Sequence, residues 1–88
     1  MRIKEKYVKT ELGEEALLVP VGEEAEQFRG VVRLNETAAY IVDLLRQDRT
    51  EKELTDALLE AYDVERAVAE KDVKAMLDTL RNVHALAD

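Results

Sequence analysis

The sequence predicts an α+β domain in which three antiparallel strands are followed by three helices. Two observations indicate this class. Strand-forming residues and period-two alternation occupy the first third of the chain. Helical spacing of apolar residues, with capping residues before the first two segments, occupies the rest. Because 88 residues support one hydrophobic core, residues 1–88 are expected to form a single domain, with the helices covering one face of the sheet.

The three predicted strands cover residues 6–12, 16–21 and 28–34. The first is rich in strand formers and ends at a predicted turn, Gly13-Glu14-Glu15. The second is an apolar run in which Pro20 cannot donate a ladder hydrogen bond, so Pro20 is expected near a strand end or a bulge. The connections of about three and six residues favour hairpins, which gives a predicted sheet order of 1-2-3.

The third strand is predicted to have the open edge of this sheet. Its alternation places Phe28, Gly30, Val32 and Leu34 on one face, and Arg29, Val31 and Arg33 on the other. Lysines at positions 4, 6 and 9 blunt the first strand, since charged side chains discourage pairing with another chain. The third strand has charges only at its two arginines, so it is the edge predicted to accept an added strand.

The three predicted helices cover residues 36–47, 51–62 and 65–83. Asn35 is a good N-cap for the first, and Thr50 with Glu53 forms a capping box for the second. Tyr40 and Tyr62 are expected to close a contact between helices rather than to stack on a ligand. The third helix has one apolar side, composed of Ala69, Val73, Met76, Leu77, Leu80 and Val83.

Charge and composition exclude several kinds of partner. The net charge is −7, and residues 35–88 hold 13 acidic against 7 basic side chains. A phosphate backbone would be repelled by this helical part, so nucleic acid is not an expected partner. The chain has no apolar run of the roughly 20 residues that span a bilayer, and its start lacks the apolar stretch of a signal peptide. A cytoplasmic protein without a membrane partner is expected.

The usual groups of catalysis and metal binding are missing from the sequence. There is no serine and no cysteine, which excludes the common nucleophiles and a thiolate metal site. The one histidine, His84, is expected at an exposed helix end without a role. The acidic pairs Glu14-Glu15 and Glu23-Glu24 lack calcium-loop spacing. We therefore predict a protein that is not an enzyme, with no catalytic residue, no metal and no cofactor.

At Leu34-Asn35-Glu36-Thr37-Ala38-Ala39 the chain resembles the PqqD-like family, also known as precursor-peptide recognition elements. Members carry a Leu-Asn-x-Thr/Ser-(Ala/Gly) segment where the third strand meets the first helix. The resemblance covers nearly the whole chain and includes further segments: Leu18-Val19-Pro20-Val21-Gly22, Phe28-Arg29-Gly30, Ile41-Val42-Asp43-Leu44-Leu45, the Thr50 capping segment, Tyr62-Asp63-Val64, and Asp72-Val73 with Leu77 and Leu80.

The chain departs from the family pattern at two places. Many relatives have tryptophan where Val42 stands, which is a conservative change in a core position. Relatives also end in a Gly-Leu-hydrophobic tail, where this chain reads Val83-His84-Ala85-Leu86. A glycine there would normally mark the end of the third helix.

The resemblance implies a winged-helix-like domain that binds the leader of a ribosomally synthesised precursor peptide. The leader would add a strand beside the third strand and pack on the third helix. The backbone of Val31, Val32 and Arg33 would pair with it. Separately, the cations Arg29, Arg33, Lys71 and Lys74 around this groove favour an acidic residue in the leader. Since a helix face packed on the sheet cannot also hold a ligand, some of the apolar candidates are core. The implied peptide-binding residues are Arg29, Gly30, Val31, Val32, Arg33, Leu34, Lys71, Val73, Lys74, Met76, Leu77 and Leu80.

The family also implies a second partner, a maturation enzyme such as a radical S-adenosylmethionine protein or a leader peptidase. Pathways to pyrroloquinoline quinone, lasso peptides and thioether-bridged peptides all use such domains, and the sequence does not choose among them. Two other functions stay open. One is a winged-helix DNA-binding regulator, which the acidic third helix disfavours. The other is a homodimerisation module that uses the open strand edge on itself.

Overall fold

The chain folds into strands followed by helices, with one short strand at each end. The computed structural model describes residues 1–23, 25 and 30–87. In chain order the elements are β1 (Arg2–Ile3), β2 (Tyr7–Leu12), β3 (Glu15–Pro20), β4 (Val32–Leu34), α1 (Glu36–Leu44), α2 (Glu51–Ala61), α3 (Arg66–Asn82) and β5 (Leu86–Ala87). The predicted α+β class, with a three-stranded antiparallel sheet before three helices, is confirmed.

The main sheet has the predicted strand order. Strand β3 lies between β2 and β4, and both pairings are antiparallel. The hairpin between β2 and β3 closes through a two-residue turn, since Leu12 pairs with Glu15. The turn begins at Gly13, whose φ of 64° lies in the left-handed region where a side chain would be strained. The glycine therefore sets the hairpin register, as two-residue turns do.

Strand β4 is shorter than the predicted strand of residues 28–34. It begins at Val32, while Phe28 and Arg29 lie outside the described residues. The register that pairs Leu18 with Val32 would place Pro20 opposite Gly30. Proline has no N–H to donate across that position, so the ladder stops before it. The expectation that Pro20 would sit at a strand end agrees with this, because it is the last residue of β3.

The helix starts follow the capping residues of the sequence. Asn35 Oδ1 accepts a 2.8 Å hydrogen bond from the Ala38 N–H. Thr50 and Glu53 form the predicted capping box, and the Thr50 N–H donated to Glu53 holds the pKa of that carboxyl below its usual value. Helix α1 ends at Leu44 and its next two residues form tighter turns, so it is shorter than the predicted helix of residues 36–47.

The core lies between the sheet and the three helices. The Tyr40 and Tyr62 rings meet edge to face, 5.7 Å apart, which confirms the predicted aromatic contact between helices. No helix in the described part of the chain is long and apolar enough to cross a membrane. Buried apolar side chains from every layer form one cluster, namely Ile3, Tyr7, Leu18, Leu34, Ile41, Val42, Leu45, Leu54, Leu58, Ala69, Val73, Met76, Leu77, Leu80 and Ala85.

A second, two-stranded sheet joins the first and last described residues. Strands β1 and β5 pair antiparallel, with Arg2 opposite Ala87 and Ile3 opposite Leu86. The Ile3 side chain is only 3% exposed, and its N–H donates to the Leu45 carbonyl at 2.8 Å. Sequence analysis missed these strands because two residues are too few to show a period. The pairing, extended by the Lys4 N–H that donates to the Ala85 carbonyl at 2.9 Å, connects β5 through β1 to the end of α1.

Helix α3 ends in a Schellman motif built without glycine. The His84 N–H donates to the Arg81 carbonyl at 3.0 Å, and the Ala85 N–H donates to the Leu80 carbonyl at 2.9 Å. Both bonds require His84 in the left-handed region, and its φ is 60°. The tail Val83-His84-Ala85-Leu86 has no glycine, and His84 takes the left-handed position that ends the helix.

Replacing His84 with glycine is expected to raise the free energy of unfolding by about 1 kcal/mol, because the left-handed backbone then costs no steric strain. Urea denaturation followed by circular dichroism measures this change. His84→Ala keeps the Cβ and should stay within about 0.5 kcal/mol of the wild type. A glycine variant no more stable than the alanine variant would contradict the left-handed cap.

Candidate functional site

The outer edge of β4 has backbone groups that face away from the sheet. The Val21 N–H donates to the Lys6 carbonyl, and hydrogen-bonded pairs alternate along an antiparallel ladder. It follows that Val32 and Leu34 bond to β3, while the N–H and C=O of Arg33 point outward. Within the described residues, no strand pairs with this edge. The edge can therefore form backbone hydrogen bonds with another extended chain, in which the Arg33 N–H donates and its C=O accepts.

The opposite edge, along β2, is partly occupied by the protein itself. The Arg46 guanidinium donates to the Tyr7 carbonyl at 2.7 Å, and the Tyr7 N–H donates to the Lys4 carbonyl at 3.1 Å. Lys9, predicted to blunt this edge, instead reaches α1 and forms a 2.8 Å ion pair with Asp43. Within the described residues, the β4 edge is thus the more accessible of the two, and the reason is these contacts along β2 rather than the charge of Lys9.

A cleft of about 400 Å³ lies beside β4, between α1 and α3. Its floor includes Ile41, which is 1% exposed, and Met76, which is 8% exposed. Its volume falls in the range of sites that hold small ligands or single side chains. The residues that line it are Val32, Arg33, Asn35, Thr37, Ala38, Ile41, Asp72, Ala75, Met76 and Thr79. A strand added to β4 would place every second side chain toward this cleft.

The cleft contains three of the residues predicted from the family resemblance, and the structure places the others elsewhere. Val32, Arg33 and Met76 line it. Val73, Leu77 and Leu80 are 0% exposed and pack in the core. Lys71 and Lys74 are exposed but line a separate hollow with Ala67 and Glu70. Of the remaining predicted residues, Gly30 and Val31 are exposed before β4, Leu34 is buried, and Arg29 lies outside the described residues.

Sequence analysis missed the polar side of the α3 wall. Asp72, Ala75 and Thr79 line the cleft at positions that surround the predicted residue Met76. They lie three and four residues apart, the spacing of one helix face. Their polar or small side chains gave no hydrophobic signal, so the apolar stripe alone did not reveal them. The sequence signal for these three residues would have been their position beside Met76 on a helical wheel.

Among the described residues, no group of three or more histidine or acidic side chains lies close enough together to hold a metal ion. The residues that line the cleft offer hydrogen-bonding, apolar and charged groups.

A three-stranded sheet with an accessible edge above a helical cleft defines a class of small α+β domain whose sheet can be extended by one strand. The profile of the PqqD family, coenzyme PQQ synthesis protein D, matches residues 15–86. The chain therefore belongs to the PqqD family. A comparison with curated proteins gives no match.

Two solved structures resemble this chain over most of its length, and both are peptide complexes. One is TbiB1 in complex with the TbiA(beta) leader peptide, with a TM-score of 0.76 and 25% identity over 100% of both chains. The other is lasso peptide synthetase B1 complexed with the leader peptide, with a TM-score of 0.70 and 26% identity. That match covers 92% of this chain and 89% of the other.

Proposed function

We propose that this domain binds the leader of a ribosomally synthesised precursor peptide as an added strand on β4. The observation that carries the proposal is the accessible β4 edge directly beside the α1–α3 cleft. Backbone bonds along the edge supply affinity, and the cleft selects alternate side chains. Family membership and the two leader-peptide complexes of similar fold support the same function.

The domain's part in the pathway is presentation rather than chemistry. No serine, cysteine or histidine lines the described cleft, so its one carboxylate, Asp72, has no such side chain beside it to form a catalytic pair. A bound leader holds the rest of the precursor at a high effective concentration near a partner enzyme. The partner is a maturation enzyme, such as a radical S-adenosylmethionine protein or a leader peptidase, and the complex forms in the cytoplasm where the precursor is made.

The proposal is tested by titrating the purified protein with the short peptides encoded beside its gene. We expect saturable binding, micromolar or tighter, by calorimetry. Amide exchange by NMR should show slower exchange at the outward Arg33 N–H. The Val32 N–H already bonds to β3 and should change little.

Three outcomes would contradict this function. No binding by any neighbouring peptide would reject leader recognition. Protection of α3 amides without protection at Arg33 would reject strand addition. Duplex DNA binding with a steep salt dependence would instead favour a regulator, although Asp72 in the cleft and the net charge of −7 oppose it. Sedimentation without peptide tests whether two copies pair through the same edge.

A further inference from the structure

We propose that the cleft selects a leader that places a lysine or arginine side chain against Asp72 of α3, next to an apolar residue seated on Met76. This inference rests on the function proposed above and names the chemistry of the peptide. It differs from the expectation of an acidic leader residue, which depended on Arg29 and Arg33 together with Lys71 and Lys74. Those two lysines line another hollow.

Most polar groups in the cleft already have partners within the protein. Asn35 Oδ1 accepts from the Ala38 N–H at 2.8 Å and from the Thr37 hydroxyl at 3.1 Å. The Thr79 hydroxyl donates to the Ala75 carbonyl at 3.1 Å. These bonds lie within single helices, at the start of α1 and inside α3, and they leave the groups with less hydrogen-bonding capacity for a ligand. Specificity must come from the remaining polar groups.

Asp72 is the acidic group that remains in the cleft. Among the described residues, its carboxylate has no ion pair within 4.0 Å. The positions three and four residues away on its helix are Val68, Ala69, Ala75 and Met76, so no helical neighbour can neutralise it. Asp78 on the same helix is different, because Arg81 lies 3.7 Å from it.

The surroundings of the cleft also favour a cation. A neighbouring hollow, which shares Asn35 with the cleft, is lined by Glu11, Glu14, Glu15 and Glu36. The one basic side chain among the cleft residues, Arg33, is 82% exposed and lies 3.9 Å from Glu15. These carboxylates make the potential at the Asn35 end of the cleft negative, which attracts and orients a basic side chain of the peptide.

The inference is tested by selecting phage-displayed random 12-residue peptides on three forms of the protein. These are the wild type, Asp72→Lys, and the matched control Asp78→Lys. The two variants change net charge equally on the same helix, but only Asp72 lines the cleft. Both sites are exposed, and urea midpoints establish that the variants are folded.

The wild type and Asp78→Lys should enrich lysine or arginine at one fixed position beside an apolar residue. Asp72→Lys should enrich aspartate or glutamate there instead. A selected basic peptide should bind Asp72→Lys about five- to tenfold more weakly than the wild type, and Asp78→Lys within about twofold.

The two ways of failing are distinct. In the first, the selected peptides slow exchange at the Arg33 N–H but show no charge preference, or show a preference that Asp72→Lys leaves unchanged. This result would overturn the assignment to Asp72 and leave leader binding intact. Failure to enrich any peptide on the wild type, together with no binding of the precursor peptides encoded beside the gene, would overturn both proposals.

Discussion

Replacing Leu77 with alanine is expected to lower the free energy of unfolding by about 3 kcal/mol. The side chain is 0% exposed in the middle of α3 and belongs to the cluster that joins the sheet to all three helices. Its removal loses buried apolar area and leaves a cavity that packed neighbours fill only in part. For a chain of this length, the total free energy of unfolding is about 4 to 13 kcal/mol, so the loss is a large share.

Urea denaturation measures this change, and two variants of the same helix serve as controls. The Val68 side chain is 46% exposed. Val68→Ala should therefore lower the free energy of unfolding by less than about 0.5 kcal/mol. Met76→Ala should cost less stability than Leu77→Ala and should weaken leader binding more, because Met76 lines the cleft. If Leu77→Ala weakened leader binding while leaving stability unchanged, Leu77 would belong to the site and not to the core.

Replacing Arg33 with proline is expected to weaken leader binding at least about tenfold, equivalent to about 1.4 kcal/mol. Proline removes the outward N–H, and its ring occupies the space of the added strand. The fold should survive, because that N–H is outside the β3–β4 ladder and edge strands tolerate proline there. We expect the free energy of unfolding to stay within about 1 kcal/mol of the wild type.

The control is Arg33→Ala, which removes the guanidinium but keeps the backbone N–H. Its leader affinity should stay within about threefold of the wild type, since an 82% exposed arginine with one distant ion pair contributes little. Calorimetric titration with the same leader peptide compares the two variants. Equal affinities for Arg33→Pro and Arg33→Ala would mean that the peptide does not bond to this N–H.

The contrast between α2 and β4 shows how far the sequence predicts the fold. Thr50 and Glu53 cap α2 through bonds only three residues apart, so local sequence was enough to place the helix start. The length of β4 depends on Pro20 in the preceding strand. Such a dependence appears only when the register between strands is known, and the predicted strand was therefore too long.

In the candidate site, too, local sequence predicts some features of the side chains, and packing between elements decides the others. Spacing placed Val73, Met76, Leu77 and Leu80 on one side of a helix, and the structure separates Met76, in the cleft, from three fully buried neighbours. A helical period shows which residues share one face of a helix, but it does not show which element packs against that face. Helix α2 makes the most extensive contact with α3. The side of α3 that faces α1 and β4 lines the cleft.

The sequence by itself determined the α+β class, the strand order and the caps of the first two helices, because propensity and turn chemistry act over a few residues. The tertiary structure alone decided that β1 pairs with β5, that Lys71 and Lys74 face away from the cleft, and that Asp72 faces into it. These features depend on which elements pack together, and contacts between distant residues leave no period in the sequence.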